Sequence, residues 1–165
     1  MQLTIAEINQ LSQPEFVTRL GFVFEQTPEI MAAAWEQRPF CDRPHLHQVC
    51  ATIVRTMTDA EQIKLISAHP DLGSRLVMAE ASVKEQAGAG LDRLTPTEYA
   101  AFQQANQQYQ QQFGFPFIIA VRQQTKVGIL AAFQGRLKND RATEQRTAIA
   151  QILEIARFRL EDTIS

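Results

Sequence analysis

His69, Ser82, Glu85 and Gln86 are the residues of this chain whose types and surroundings could do chemistry. His69 stands in His69-Pro70-Asp71-Leu72-Gly73, behind a run that reads as a helix. Thr58 is followed three residues later by Glu61, the capping-box pattern, and Ile63, Leu65 and Ile66 supply one apolar side. Pro70 steers the residue before it out of helical geometry, so the helix is expected to stop on the imidazole. There the negative end of the helix dipole favours the charged ring, which suits a proton donor working near neutrality. A histidine in that place can equally do no more than cap the last carbonyls.

The second polar group is Ser82-Val83-Lys84-Glu85-Gln86, closed off by Gly88 and Gly90. Ser82 reads as an N-cap with Glu85 as its partner three residues on, opening a helix that the glycines cut short. So short a helix is a poor structural element on its own, but it can aim Ser82, Glu85 and Gln86 into a pocket. Both readings stand on the residues alone.

These groups need a scaffold, and the chain supplies one that is helical almost throughout. Thr4-x-x-Glu7, Ser12-x-x-Glu15 and Thr95-x-x-Glu98 repeat the capping-box pattern, while Pro28 and Pro96 are placed for first helical positions. Gly21 and Gly114 mark helix ends. From Pro96 to Phe113, Phe102, Asn106, Tyr109 and Phe113 recur at helical spacing, and glutamines fill a solvated face. A last helix runs from roughly Thr143 to Asp162. One stretch breaks the rule. Phe113-Gly114-Phe115-Pro116-Phe117 and Ile118 to Val121 are apolar, β-prone and punctuated by Gly and Pro. A lone strand is poor architecture, so a buried extended segment, or a short helix start after Pro116, is expected among the helices. Its peptide groups must find partners, and a polar ligand could supply them, which makes residues 117 to 121 a candidate site wall. A plain core segment is the other reading. The fold class is therefore all-α: a single compact multi-helix domain over residues 1–165, with one extended apolar segment near 113–121.

Composition agrees with an ordinary globular protein. The 165 residues are 45% hydrophobic and 21% charged, with a formal net charge of −2, enough chain to bury a core in about one domain. Lysine and arginine are scattered, unlike the basic footprint of a nucleic-acid binder. No apolar run approaches a membrane span, and the first residues lack the basic start and apolar core of a signal peptide, so a cytoplasmic location is expected. Cys41 and Cys50 make no disulfide framework. His45 and His47 are two apart and would point to different sides of a helix, so no metal site is expected with Cys50. Trp35 to Phe40 could support either a pocket or an interface; because Arg38-Pro39-Phe40 leaves a helix into a turn, pocket support is expected.

Taken together, the segments carry a resemblance. Ala34-Trp-Glu-Gln-Arg-Pro-Phe40, Ala68-His-Pro-Asp-Leu-Gly73, Ser82-x-x-Glu-Gln86 with Ala89-Gly-Leu91, Phe113-Gly-Phe-Pro-Phe117 and Ile155-Ala-Arg-Phe-Arg-Leu160 are, in this order and spacing, similar to the 2-oxo-4-hydroxy-4-carboxy-5-ureidoimidazoline (OHCU) decarboxylases of urate degradation. The resemblance spans Phe16 to about Leu160. It implies a homodimeric, all-α, cofactor-free carboxy-lyase that acts on a small ureidoimidazoline and yields (S)-allantoin by stereospecific protonation. Carried onto this chain, it makes His69 the catalytic acid, with Pro70 at the substrate; Glu85, hydrogen-bonded to the substrate hydroxyl or to His69, is expected to act with it. Ser82, Val83, Lys84, Glu85 and Gln86 would form one binding segment and Phe117, Ile118, Ile119, Ala120 and Val121 the opposite wall. Arg122, beside that wall, is a candidate partner for a carboxylate or ring carbonyl. Two other readings use the same residues. One is a ureide hydrolase with His69 and Glu85 activating water. The other is a non-enzymatic helical module in which these segments are caps and turns.

Overall fold

Local signals set most helix starts. Thr4, Ser12, Thr58 and Thr95 each form the full capping box with the glutamate three residues on. At Thr58 the backbone N–H donates to Glu61 Oε2 at 2.8 Å, while the Glu61 N–H donates to the Thr58 hydroxyl. These are two of the orphan donors a helix start must satisfy. The computed structural model describes residues 2–72, 80–91, 93–122 and 124–165, the side chains of 80–83 excepted. Among these it contains α1 (Ile5–Gln10), α2 (Gln13–Leu20), α3 (Glu29–Trp35), α4 (Arg43–Arg55), α5 (Asp59–Ser67), α6 (Glu80–Gly88), α7 (Pro96–Phe113), α8 (Lys126–Arg136) and α9 (Arg141–Thr163). The only β pairing among the described residues is an isolated parallel bridge between Leu3 and Ile164. The fold is all-α.

Three boundaries differ from the sequence reading. Pro28 precedes α3 instead of opening it, because its carbonyl takes the first helical bond, from the Ala32 N–H at 3.1 Å. Helix α5 ends at Ser67, where the Ala68 N–H is shared between the Lys64 and Leu65 carbonyls, and His69 follows outside the helix. Ser82 is not an N-cap: it lies inside α6, which is described from Glu80. Glu80 and Ala81, upstream of it, are strong helix formers.

The chain forms two compact units, Met1–Ala68 with Ile152–Ser165 and His69–Gln151. In the first, Phe16, Leu20, Phe24, Ile30, Met31, Leu46, Val54 and Leu160 are fully buried, each such side chain contributing roughly 1.5–3 kcal/mol. Cys50 lies in the same core, its thiol 3.7 Å from the Met31 sulfur, and burial pushes its pKa up to about 12. Cys41 is exposed. The Trp35–Phe40 segment closes a structural clamp within this unit. The Trp35 Nε1–H donates to the Leu11 carbonyl, the Arg38 guanidinium stacks 3.6 Å over the Trp35 ring, and Asn9 brackets both backbone groups of Phe40. Arg159, at 3% exposure, pairs with Glu25 at 2.8 Å. His45 and His47 have separate partners: His45 Nδ1 accepts the Cys41 N–H, and His47 Nε2 donates to the Leu153 carbonyl.

The second unit is built on aromatics. Phe117 stacks on Phe133 with ring centroids 3.7 Å apart, and Tyr109 meets Phe113, Phe115, Phe117 and Phe133. Gly114 ends α7 at φ 79°, the left-handed geometry that glycine adopts without strain. The chain then enters the apolar segment, which runs from 116 to 121 with no helix, turn or bend.

Candidate functional site

His69, residues 84–86 and residues 117–122 all belong to the His69–Gln151 unit. His69 is buried, and the residues that follow it are fastened to α7. Asn106 Nδ2 donates to the Leu72 carbonyl at 2.8 Å, and Gln110 Nε2 donates to Asp71 Oδ1 at 2.9 Å. Asn106 and Gln110 are one helical turn apart, so a single face of α7 holds the loop behind the imidazole. Burial pushes the Asp71 carboxyl above its ordinary range, and the Gln110 bond offsets part of the rise. The Leu72 carbonyl fixes which end of the Asn106 amide faces it, leaving Oδ1 buried with no partner among the described residues.

Helix α6 carries the second segment. Its exposure turns with the helix: Lys84 is exposed, Glu85 half-buried and Gln86 buried at 8%. The side chains of Ser82 and Val83 lie outside the described residues. The end of α6 is sharply defined. Leu91 N–H bonds to the Gln86 carbonyl at 3.0 Å and Gly90 N–H to Ala87 at 3.0 Å, with Gly90 at φ 79°. This double closure needs a residue free to adopt positive φ, and the buried Leu91 beyond it pins the turn. Gln86 is thereby held from its own carbonyl.

The third segment is the apolar run. Phe117, Ile118, Ala120 and Val121 are buried, while Ile119 is the one residue between 115 and 121 that reaches solvent. Two peptide groups of the run are held by side chains. Arg136 Nη1 donates to the Ile118 carbonyl at 2.5 Å, and the Ala120 N–H donates to Gln151 Oε1 at 2.9 Å. The N–H and C=O of Ile119 have no partner among the described residues. Beyond them the chain turns, Gln124 N–H bonding to the Val121 carbonyl, and Arg122 stands half-buried on the turn.

Arg136 is itself held by a buried polar cluster. Glu144, at 0% exposure, accepts from Arg136 Nε at 2.8 Å, Tyr109 Oη at 2.5 Å and Asn139 Nδ2 at 2.9 Å. Three donors satisfy a carboxylate that burial would otherwise make costly. Burial and the neighbouring carboxylate both push the Tyr109 hydroxyl well above the usual phenol range. The Arg136 guanidinium also lies 4.2 Å over the Phe117 ring. Sequence reasoning missed Gln110, Arg136, Glu144 and Gln151 as supports. Asn106 carried a signal, as a lone amide within an apolar stripe.

Chemically, the unit offers an imidazole, a carboxylate, a buried amide and an extended backbone with an open peptide pair. That set suits a small polar ring with amide edges and can move a proton. A family model described as OHCU decarboxylase matches residues 9–161. The chain is 39% identical to the 2-oxo-4-hydroxy-4-carboxy-5-ureidoimidazoline decarboxylase of Halalkalicoccus jeotgali, over 98% of this chain and 92% of that protein. It is 37% identical to the protein of the same description from Haloferax volcanii, over 99% and 98%. It also matches 33% of the length of the uric acid degradation bifunctional protein PucL of Bacillus subtilis, at 39% identity over 98% of this chain. Among solved structures, an (S)-allantoin synthase superposes with a TM-score of 0.81 at 27% identity, over 98% of this chain and 54% of that one.

Proposed function

The chain belongs to the OHCU decarboxylase family, and from that premise we propose that it converts OHCU to (S)-allantoin with His69 as the proton donor. One observation carries the residue assignment: the loop after a buried histidine is fastened by Asn106 and Gln110 to the same helix, α7, whose Tyr109 helps hold the opposite wall through Glu144 and Arg136.

The substrate explains why so few groups suffice. Its carboxylate leaves from a carbon next to a ring C=N, so the electron pair of the breaking C–C bond moves into the ring as the C=N is reduced. No pyridoxal or thiamine sink is needed. The former C=N nitrogen takes up a proton as carbon dioxide leaves, and the resulting enol then takes one proton on carbon while its hydroxyl loses one and becomes the ring carbonyl. His69 supplies the proton to one face. Glu85 orients the imidazole or the substrate hydroxyl and favours the charged ring. Gln86 and Ser82 offer neutral donors and acceptors to the ureide edges, with Val83 and Lys84 completing the segment and Pro70 beside the reacting carbon. Phe117 to Val121 form the facing wall, and Arg122 answers the carboxylate or a ring carbonyl. The reading extends to a homodimer in the cytoplasm. No helix among the described residues is long and apolar enough to cross a membrane.

The experiment is circular dichroism on OHCU generated in place from urate. A persistent (S)-allantoin signal that depends on this protein is the expected result. Decay at the spontaneous rate to optically silent product overturns the assignment.

A further inference from the structure

We infer that Gln151 and Arg136 are positioning residues that turn the peptide of Ile119 toward the ligand and fix which of its hydrogen-bonding groups the ligand meets. The inference rests on residues 117–122 being a ligand wall. In an extended chain the N–H and C=O of one residue point to one edge, and those of its neighbours to the other. The Ile118 carbonyl and the Ala120 N–H are therefore on the same edge, and both are taken by half-buried side chains of the unit, Arg136 and Gln151. The run has no helix, turn or bend, and extended geometry there sends the N–H and C=O of Ile119 to the opposite edge. Among the described residues nothing pairs with them there, and Ile119 alone in this run reaches solvent.

A donor and an acceptor side by side on one edge match a cis amide: a ring N–H next to a ring C=O, as in an imide or cyclic ureide. The backbone would then read the ring edge while polar side chains elsewhere handle the leaving carboxylate and the proton. The anchors cannot be exchanged for any residue of similar size. Gln151 must present an acceptor to Ala120, and only a side chain with a forked, charged head can donate to Ile118 while also pairing with Glu144. Phe117, stacked on Phe133 and with the Arg136 guanidinium over its ring, resists rotation of the run about its axis.

Amide hydrogen exchange on the intact, unmodified protein tests this directly, with (S)-allantoin as probe. The Ala120 amide should be protected without ligand, and the Ile119 amide should exchange fast until allantoin is added. Gln151→Leu should raise KM for OHCU about three- to tenfold, the range one hydrogen bond is worth, with kcat little changed. Gln151→Glu retains an acceptor and should hold KM near the parent value. An Ala120 amide as labile as that of Ile119, or a Gln151→Leu enzyme with the parent KM, overturns the inference and leaves the wall standing if residues 117–122 still respond to allantoin. If none of those amides responds at saturating allantoin, the wall reading itself falls.

Discussion

The hydroxyl of Tyr109 lies 2.5 Å from Oε1 of Glu144, with the carboxylate shut off from water. Tyr109 is on α7 and Glu144 on α9, and Arg136 of α8 completes the group, so three helices meet at one carboxylate. This cluster holds the Ile118 carbonyl in place, and so it sets the geometry of the candidate wall as well as the stability of the unit.

Tyr109→Phe removes one donor to a buried charge and should cost about 2 kcal/mol. Glu144→Leu should cost more, about 3–5 kcal/mol, because it leaves the Arg136 guanidinium without its anion. Urea denaturation followed by far-ultraviolet dichroism measures both. Variants that unfold at the parent's urea midpoint would show that the cluster contributes nothing to stability.

His69→Asn should fold like the parent and lose enzyme-dependent formation of (S)-allantoin. Asparagine fits the space but has no proton to give at neutral pH. The readout must be optical activity, because the substrate also decays unaided. A variant that still produces (S)-allantoin in excess would remove His69 from the donor role.

Asp71 has its folded-state pKa raised, chiefly by burial. Such a carboxyl weakens the fold at neutral pH. The penalty grows as pH rises from the unfolded carboxyl value, roughly 4, to the folded one, then stays constant. Asp71→Asn keeps an acceptor for Gln110 and should raise the melting temperature at pH 7, with the gain shrinking to nothing below about pH 4. A gain of equal size at both pH values would assign the effect to something other than the charge.

Thr58→Ala deletes the cap of α5, which leads into His69, and should cost about 1 kcal/mol of stability. Because His69 is held from α7 by way of Asp71 and Leu72, KM and kcat at 25 °C should stay near the parent values. A large fall in kcat without unfolding would show that α5 sets the imidazole instead.

What the sequence made legible was local. Capping boxes, the run of α7 from Pro96 to Phe113 and its glycine stop each depend on residues within about four positions of one another. The extended segment was visible from Gly114 and Pro116 for the same reason. The Ser82 cap failed because two helix formers upstream outweighed it. The anchors of the wall were invisible. Arg136 lies 18 residues from Ile118 and Gln151 lies 31 from Ala120, and no periodic pattern encodes a partner at that distance. Gln110 was hidden differently, as one of many glutamines on a solvated face, distinguished only by the Asp71 it reaches.

The two thiols of this chain are chemically unequal. Cys50 is sealed against Met31 with its proton firmly held, whereas Cys41 is open to solvent. Alkylating reagents attack thiolates, so near neutral pH they will modify Cys41 and pass over Cys50. The native protein therefore comes with a single address for a dye or spin label, without any engineered cysteine.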